Sequence, residues 1–517
     1  VSSKQHGRSR PLVHRKALVK GRYVGDDPTG KRKRKDWPVV PVRFVQACPN
    51  GHINDIDWPR LVHGDGVTCG GQLWFDEQGT TGDLAELFVR CDGCQSKPVS
   101  LVRLQSTSEE RSVLGDCRGD RPWLGPTARE ACVSPTGKPH RNKVLIRHAS
   151  NAYFPIIERA ISIPDHDERV RKAVDAVWDD FLSVAESASD IKRERKKQRV
   201  LQALDGLSDE EVWAHCQRRQ GGGSEQPKGL KEVELDTFLS VPNELGEDKP
   251  EGDFYARRLP LAATRKGAIE RVERVVLAHR LREVVAEIGF TRFESPALPI
   301  DSEVDLGVRL AALALEPRWV PAIENRGEGV FLSLDAEKVQ AWTKRSAVKQ
   351  RAREFRDGVQ STSKAPISME RIEQIYMPYI MLHSLSHLLL TAIALECGYA
   401  AASIRERIYV RDGAYGLLLY TGTPDAEGTL GGLVQVGRRI ARHLDTALEL
   451  GSLCSNDPVC AQHKPNQAHE GRIMQGAACH GCLLIAEPSC ERRNELLDRS
   501  LVVPTVDLAD AAFFTEG

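Results

Sequence analysis

The pattern of hydrophobic and polar positions changes along the chain and predicts different elements in different regions. Apolar residues within Ile269–Ile288 recur at near-helical spacing, which predicts an amphipathic helix. Shorter stretches such as Pro41–Val45 and Leu84–Arg90 have the composition of strands. The longest uncharged run, Gln374–Leu395, carries a proline, two histidines and two serines, so it predicts a buried helix rather than a membrane span.

These patterns divide the chain into four segments. Residues 1–40 form a basic, flexible segment, and residues 41–155 are rich in cysteine, glycine and turn residues. Residues 156–365 are predicted to be mainly helical, and residues 366–517 combine an apolar helix, strands and a second cysteine cluster. We therefore predict a multidomain α+β fold with an N-terminal zinc-stabilised, loop-rich module, a helical middle region and a C-terminal α/β zinc-binding domain.

The charge balance limits the classes of partner. The 517 residues include 72 Lys and Arg against 72 Asp and Glu, so the net charge is zero and a uniformly basic nucleic-acid binder is excluded. Local basic faces are still candidates for phosphate contact, and solvated surface is the alternative interpretation. The candidate DNA-contacting residues are Lys192, Arg193, Arg195, Lys196, Lys197, Arg405 and Arg407.

Cysteine usage indicates metal binding rather than disulfides. The N-terminus is basic and lacks an apolar signal region, from which we expect a soluble cytoplasmic protein without a membrane partner. Disulfides are rare in a reducing compartment, so thirteen cysteines, most of them clustered, indicate metal sites. The isolated Cys216 and Cys397 are expected to be core residues.

The C-terminal cysteines have the spacing of a zinc site. They follow the pattern Cys454-x5-Cys460-x18-Cys479-x2-Cys482-x7-Cys490. A C-x-x-C turn lets two thiolates reach one tetrahedral ion, and a second pair closes the site. Five thiols are available for four ligand positions. The favoured ligands are Cys460, Cys479, Cys482 and Cys490, and Cys454 is the alternative to one of them.

The N-terminal cysteines allow two interpretations. In one, Cys91 and Cys94 pair with Cys117 and Cys132, while Cys48, His52 and Cys69 form a second site or a hydrogen-bonded core. In the other, Cys69, Cys91 and Cys94 form one site that is closed by Cys48 or His52. His63 also lies in this region. At least one zinc is expected here, and about two per chain.

Thiolate ligands favour structural over catalytic zinc, because a catalytic zinc keeps an open position and usually binds His and carboxylate ligands. We therefore predict a non-enzymatic protein. The rival hypothesis is a metal-dependent nuclease or hydrolase that uses His383, His387, Asp425 and Glu427. His383 and His387 share one helical face, but their surroundings are apolar and two satisfied core histidines are the favoured interpretation.

Several long strings resemble proteins of the DrmB family, which are subunits of the bacterial DISARM anti-phage defence system. The C-terminal block is also similar to the MrfA-like zinc-binding domain at the tail of some bacterial DNA helicases, because Cys479, Cys482 and Cys490 are followed by Asn494 and Leu497-Asp498-Arg499. The most specific strings are FVQACPNGHINDIDW (44–58), LGDCRGDRPWLG (114–125), RHASNAYFP (147–155), HSLSH (383–387) and ACHGCLLIAEPSCERRNELLDR (478–499).

The resemblance implies a role in phage restriction as the partner of a superfamily-2 helicase, DrmA, with DNA and other defence subunits as further partners. This chain has no G-x-x-x-x-G-K-[ST] motif, so the motor is expected to be the partner. A third hypothesis is a pure scaffold that never contacts DNA.

Overall fold

The chain forms two compact units in this computed structural model. The first comprises Val1–Glu158, Ala286–Ala297 and Asp305–Ala322, and the second comprises Arg159–Val285, Leu298–Val304 and Ile323–Gly517. The structure describes residues 8–25, 35–66, 69–94, 96–105, 113–134, 137–164, 166–220, 229–246, 248–249, 252–262, 265–293, 310–316, 318–362, 367–397, 401–422, 432–467 and 474–515.

The first unit consists of short strands in three small antiparallel sheets. The sheets have the orders β1-β7-β8-β9, β10-β5-β6 and β2-β3-β4, and the described residues of this unit also contain the α-helix α1 (Trp58–His63). The strands are β1 (Ser9–Pro11), β2 (Leu18–Val19), β3 (Arg22–Gly25), β4 (Lys35–Trp37), β5 (Phe44–Ala47), β6 (Ile53–Asn54), β7 (Leu73–Glu77), β8 (Leu87–Cys91), β9 (Val99–Ser100) and β10 (Lys143–Ile146).

Strand β8 shows why this unit folds as it does. Leu87, Val89 and Cys91 alternate into a core shared with Phe75 of β7, while the residues between them are half-buried. The predicted strand at Leu84–Arg90 therefore exists, although it starts later. The strand predicted at Pro41–Val45 is likewise shifted to Phe44–Ala47.

The second unit contains most of one seven-stranded sheet, with helices around it, while residues 154–158, 286–291 and 322 of that sheet are assigned to the first unit. The sheet has the order β12-β13-β14-β15-β17-β16, and β11 also pairs with β14. The strands are β11 (Phe154–Ile161), β12 (Glu244–Gly246), β13 (Phe254–Leu259), β14 (Val272–Thr291), β15 (Ala322–Leu334), β16 (Ile404–Arg411) and β17 (Ala414–Thr421). The helices are α2 (His166–Asp175), α3 (Ala188–Glu194), α4 (Gln198–Ala203), α5 (Asp209–Gln220), α6 (Leu230–Ser240), α7 (Ala336–Thr343), α8 (Ser346–Thr362), α9 (Met369–Arg371), α10 (Met377–Cys397), α11 (Gly432–Arg438) and α12 (Ile440–Ser452).

Both faces of the central part of this sheet are buried. Along β15, Val330 and Leu332 face the core that surrounds α10, while Phe331 between them packs against Phe238 and Tyr409 on the opposite face. A strand that is covered on both sides reads as a continuous apolar run rather than as an alternation. The multidomain α+β fold class is confirmed, whereas the boundaries at residues 40, 155 and 365 stay predictions.

The helix predicted at Ile269–Ile288 is wrong, because this stretch is strand β14, which begins at Val272 after a single 3-10 turn. Burial on both faces places apolar residues at many positions, and a subset of them then fits a helical period by chance. The local composition favours the strand, since β-branched residues such as Val272, Val275 and Val276 pack well in a sheet. The middle region therefore contains long strands as well as helices.

The buried helix predicted at Gln374–Leu395 is confirmed. A short π-helical turn at Ile372–Tyr376 leads into α10, which lies in the centre of the largest core. The segment Met369–Glu396 is long and apolar enough to cross a membrane, but 83% of its most apolar window is buried inside the protein. Packing of this fold therefore accounts for its hydrophobicity.

Candidate metal centres

Four groups of metal-ligating side chains converge in the described residues. Within each group, one potential ligand atom per residue lies within 4.8 Å of the others. Cluster 1 is Cys48, His52, Cys117 and Cys132; cluster 2 is His63, Cys69, Cys91 and Cys94; cluster 3 is Cys454, Cys460, Cys479 and Cys482; cluster 4 is His383, His387, Glu406 and Cys490.

Cluster 1 begins where strand β5 ends. A tight turn follows Cys48, in which the amide of Gly51 donates to the Cys48 carbonyl and the left-handed backbone of Gly51 reverses the chain. The Sγ atom of Cys48 then lies 3.3 Å from His52 Nδ1 and 3.7 Å from Cys132 Sγ. These separations suit a Cys3His site around one tetrahedral ion.

Groups around cluster 1 orient His52 and favour ionisation of Cys117. The Nε2–H group of His52 donates to Glu130 at 2.8 Å, so Nδ1 carries the lone pair that could bind a metal ion. The hydrogen bond from the Cys48 thiol, together with His52 and the amide of Gly119, lowers the pKa of Cys117 to about 4. The cluster therefore offers a ready thiolate at neutral pH.

Cluster 2 joins the end of α1 to the end of β8. His63 is the last residue of α1, and Cys91 is the last residue of β8 and starts a C-x-x-C turn. The sulfurs of Cys69 and Cys91 lie 3.7 Å apart, and Cys94 Sγ lies 3.6 Å from His63 Nδ1. This is a second Cys3His arrangement.

Gly71 and Gly93 pack closely against each other beside cluster 2. A Cβ atom on Gly71 would lie 2.5 Å from Cys91 Sγ and 2.6 Å from the amide nitrogen of Gly93. Such distances are far below van der Waals contact, so the turn closes only because Gly71 has no side chain. The neighbouring Gly70 has open space around its Cα hydrogen.

Cluster 3 consists of four cysteines in the C-terminal loops. The sulfur separations are 3.5 Å for Cys454 and Cys479, 3.6 Å for Cys479 and Cys482, and 3.8 Å for Cys460 and Cys482. A tetrahedral ion with Zn–S bonds of about 2.3 Å places its sulfurs roughly 3.8 Å apart. A disulfide would need sulfurs about 2.05 Å apart, so these distances fit a metal site.

A buried arginine interacts both with an aspartate and with the sulfurs of cluster 3. Arg499 is fully buried and binds both carboxylate oxygens of Asp457, at 2.5 and 2.6 Å. The hydrogen bond from the Cys482 thiol, helped by Arg499, lowers the pKa of Cys460 to about 6. Four thiolates and one Zn²⁺ carry two negative charges in total, so a nearby cation is favourable.

Cluster 4 lies in the core between α10 and β16. His383 and His387 are one turn apart on α10, and their Nε2 atoms lie 2.9 and 3.2 Å from Glu406 Oε1. His383 Nε2 also lies 3.1 Å from Cys490 Sγ. Burial alone would lower the pKa of His387, but the carboxylate of Glu406 raises it to about 9.

The structure corrects the favoured C-terminal ligand set. Cys490 does not belong to cluster 3 but lies beside the histidines of α10. Cys454 is the fourth cysteine of cluster 3, together with Cys460. The spacing could not show this, because the loop after Cys482 turns back towards α10 before it reaches Cys490.

Both N-terminal interpretations need correction. Cys91 and Cys94 do not share a site with Cys117 and Cys132, since the two pairs belong to different clusters. The single site around Cys69, Cys91 and Cys94 is closed by His63 rather than by Cys48 or His52. The helix α1 brings His63 to β8, and a sequence pattern does not contain that tertiary contact.

Glu406 was missed as a potential ligand. It sits in the charged string Arg405-Glu406-Arg407, which reads as exposed surface, yet it is 1% exposed. Alternation along β16 could have indicated it, because Ile404 and Ile408 face the same core.

The basic stretch at residues 192–199 is on the surface. It is not one helix but the end of α3, a turn and the start of α4. Arg193 and Lys197 pair with Asp190 and Glu194, and Arg195 is half-buried against Asp209. Lys192 and Lys196 are exposed, and neither forms an ion pair in the part of the chain that the structure describes.

Two predicted DNA contacts point into the protein instead. Arg407 is 6% exposed and donates to both carboxylate oxygens of Glu234, at 2.5 and 2.9 Å. Arg405 donates to the buried Glu283 at 2.6 Å. Both arginines therefore neutralise buried carboxylates, and Arg407 is wrong as a DNA contact.

The grouping proposed for a nuclease receives no support from the described residues. His383 and His387 meet Glu406 and Cys490, while Asp425 and Glu427 lie outside the described residues. The basic run Lys31–Lys35 also lies outside them except for the backbone of Lys35. Cys216 is buried, as predicted for a core residue.

Two family descriptions match parts of the chain. Residues 6–154 match a domain of unknown function (DUF8724), which contains clusters 1 and 2. Residues 385–483 match the MrfA Zn-binding domain, and this range contains all four cysteines of cluster 3. The zinc-binding description and the thiolate geometry agree and indicate zinc.

Comparison with individual proteins gives a relative that matches most of this chain. A protein named "DISARM protein DrmB" from Bacillus paralicheniformis is 32% identical over 498 residues, which are 93% of this chain and 83% of the relative. The crystal structure of the DUF1998 helicase MrfA bound to DNA is 13% identical with a TM-score of 0.21, over 42% of this chain and 23% of that chain.

Proposed function

This chain belongs to the DrmB family of DISARM proteins, and on that premise we propose that it is a non-enzymatic subunit of an anti-phage defence complex. In this proposal it partners the superfamily-2 helicase DrmA in the cytoplasm and helps to hold DNA. The observation that carries the proposal is the 32% identity to a DISARM subunit across 93% of the chain.

We further propose that clusters 1, 2 and 3 each hold one structural zinc ion. This is one more than the two expected from the spacing. Each cluster supplies four protein ligands, which leaves no open position for a substrate. Metal binding of roughly 10 kcal/mol per site would stabilise the short strands and loops that carry the ligands.

The non-enzymatic assignment is supported by the environment of the two helical histidines. His383 and His387 are fully buried, and each donates its Nδ1–H to a backbone carbonyl. A nuclease centre built on them would need access for a phosphate. Incubation of the purified protein with DNA and added Mg²⁺ or Mn²⁺ should give no cleavage, and metal-dependent cleavage would support the enzyme hypothesis.

DNA contact is proposed at the exposed basic turn between α3 and α4. Lys192 and Lys196 are exposed cations on a surface stretch that is otherwise partly paired. Such lysines contact phosphates without reading sequence, so we expect little base specificity from this subunit. Each phosphate contact makes the slope of log K against log salt more negative by about 0.9.

Filter binding at several salt concentrations, with and without the helicase, tests this contact. The double change Lys192→Ala and Lys196→Ala should make this slope shallower, reducing its magnitude by roughly two. A control with Lys266→Ala and Arg318→Ala removes the same charge from exposed positions elsewhere. Salt-insensitive retention of DNA by the complex, or equal effects of both pairs, would favour the pure scaffold.

A further inference from the structure

We propose that cluster 4, formed by His383, His387, Glu406 and Cys490, is a fourth metal site and binds one Zn²⁺ ion in the core. The site is separate from clusters 1, 2 and 3. Two of its ligands, His383 and Cys490, lie outside the segment that matches the MrfA Zn-binding domain. It would therefore be a separate centre of mixed ligands that joins α10 and β16 to the C-terminal loops.

The histidine rings are oriented as metal ligands. The Nδ1 atoms of His383 and His387 lie 3.1 and 2.8 Å from the carbonyl oxygens of Leu496 and Leu483. A carbonyl oxygen only accepts, so each Nδ1 carries the proton. Each Nε2 therefore faces Glu406, and an ion bound between them would take the Nε2 lone pair in place of a proton. A hydrogen bond at the other ring nitrogen is the arrangement typical of zinc-bound histidine.

The sulfur of Cys490 accepts backbone hydrogen bonds of the same kind as sulfurs in clusters 1, 2 and 3. It accepts hydrogen bonds from the amides of Arg492 at 3.3 Å and Asn494 at 3.2 Å. The amide two residues after the cysteine makes the same bond at Cys91, Cys117 and Cys454, at 3.3 to 3.4 Å. Amide donors favour the charged thiolate over the thiol, as a metal ligand requires.

Burial and charge favour an ion at this point. The exposed fractions of the four side chains are 0% for both histidines, 1% for Glu406 and 4% for Cys490. Two neutral imidazoles, one carboxylate and one thiolate carry a charge of minus two, which is costly in a protein interior. One Zn²⁺ makes the site neutral, whereas without it both histidines would need to be protonated.

The ligand chemistry selects zinc among the common metals. Tetrahedral nitrogen and sulfur ligands are typical of Zn²⁺, while Mg²⁺ and Ca²⁺ prefer oxygen. Two histidines and one carboxylate also occur at iron oxygenase centres, but those keep open positions. Here the thiolate supplies a fourth ligand and the site is fully buried, so the proposed role is structural.

Metal analysis of the unmodified full-length protein is the first test. Elemental analysis should give four zinc ions per chain, and X-ray absorption at the zinc edge should give an average of about 2.75 sulfur ligands per zinc. Three zinc ions with an average of about 3.3 sulfur ligands would mean that cluster 4 is a hydrogen-bonded network of protonated histidines, and would overturn the proposal.

Single substitutions give the second test. His383→Gln should lose one zinc ion, while the control His443→Gln changes another fully buried histidine outside the clusters and should keep all four. Combining His383→Gln with Cys482→Ser should lose two ions, because the sites are separate. Unchanged zinc content in a folded His383→Gln protein would refute the site; should that variant fail to fold, the measurement on the unmodified protein decides.

Discussion

Replacement of Arg407 by methionine distinguishes a buried ion pair from a DNA contact. Arg407 makes two hydrogen bonds to Glu234 and one of 2.9 Å to the carbonyl of Arg159. Without them, the partners left to the buried carboxylate of Glu234 among the described residues are the Tyr409 hydroxyl at 2.9 Å and the amide of Ile161 at 3.0 Å. Arg407→Met therefore leaves a buried charge without its counter-ion.

The expected cost follows from this geometry. Breaking a buried pair on one side destabilises proteins by about 3–5 kcal/mol. In a domain as large as the second unit, 1 kcal/mol corresponds to roughly 2 °C in Tm, so we expect a decrease of about 6–10 °C in its thermal transition. The double change Glu234→Gln and Arg407→Met should recover part of this loss, because the uncompensated charge is gone.

Calorimetry together with DNA binding is the appropriate assay. The surface control Lys192→Met should change Tm by less than about 1 °C, since exposed charges contribute little to stability. If Arg407→Met melted like the unmodified protein and bound DNA more weakly, Arg407 would be a DNA contact and the buried-pair argument would be refuted.

Two further predictions concern the N-terminal clusters. Gly71→Ala should remove one zinc ion and destabilise the first unit, because the new Cβ would lie 2.5 Å from Cys91 Sγ. The control Gly70→Ala places its Cβ in open space and should keep the metal. Equal zinc content in both variants would contradict this prediction. Glu130→Gln should weaken zinc binding at cluster 1 by roughly 10- to 100-fold through its contact with His52, measured as faster release to a chelating dye, and an unchanged release rate would contradict it.

Local features of the sequence predicted much of this molecule. Cysteine spacing pointed to every cysteine of clusters 1, 2 and 3, although it did not give their grouping or His63. The C-x-x-C turns of clusters 2 and 3 are local structures, so they can be recognised in the sequence. The uncharged run at Gln374–Leu395 predicted α10, since a buried helix is apolar on every face.

Features that depend on tertiary contacts could not be read from the sequence. Burial on both faces of the sheet hid the strand period of β14. The partition of Cys454 and Cys490 depends on loop paths, and the inward direction of Glu406 and Arg407 depends on which elements cover each face of β16. Charged residues in such a strand read as surface until their partners, which lie far away in sequence, are known.

The zinc content of Cys482→Ser tests the central claim, that the thiolate clusters are structural zinc sites, most directly. The substitution removes one sulfur from cluster 3, while the control Cys216→Ser changes a buried cysteine outside every cluster. We predict that Cys482→Ser contains one zinc ion fewer than the unmodified protein and that Cys216→Ser contains the same number. Full zinc content in Cys482→Ser would contradict the assignment of these four thiolates to one ion.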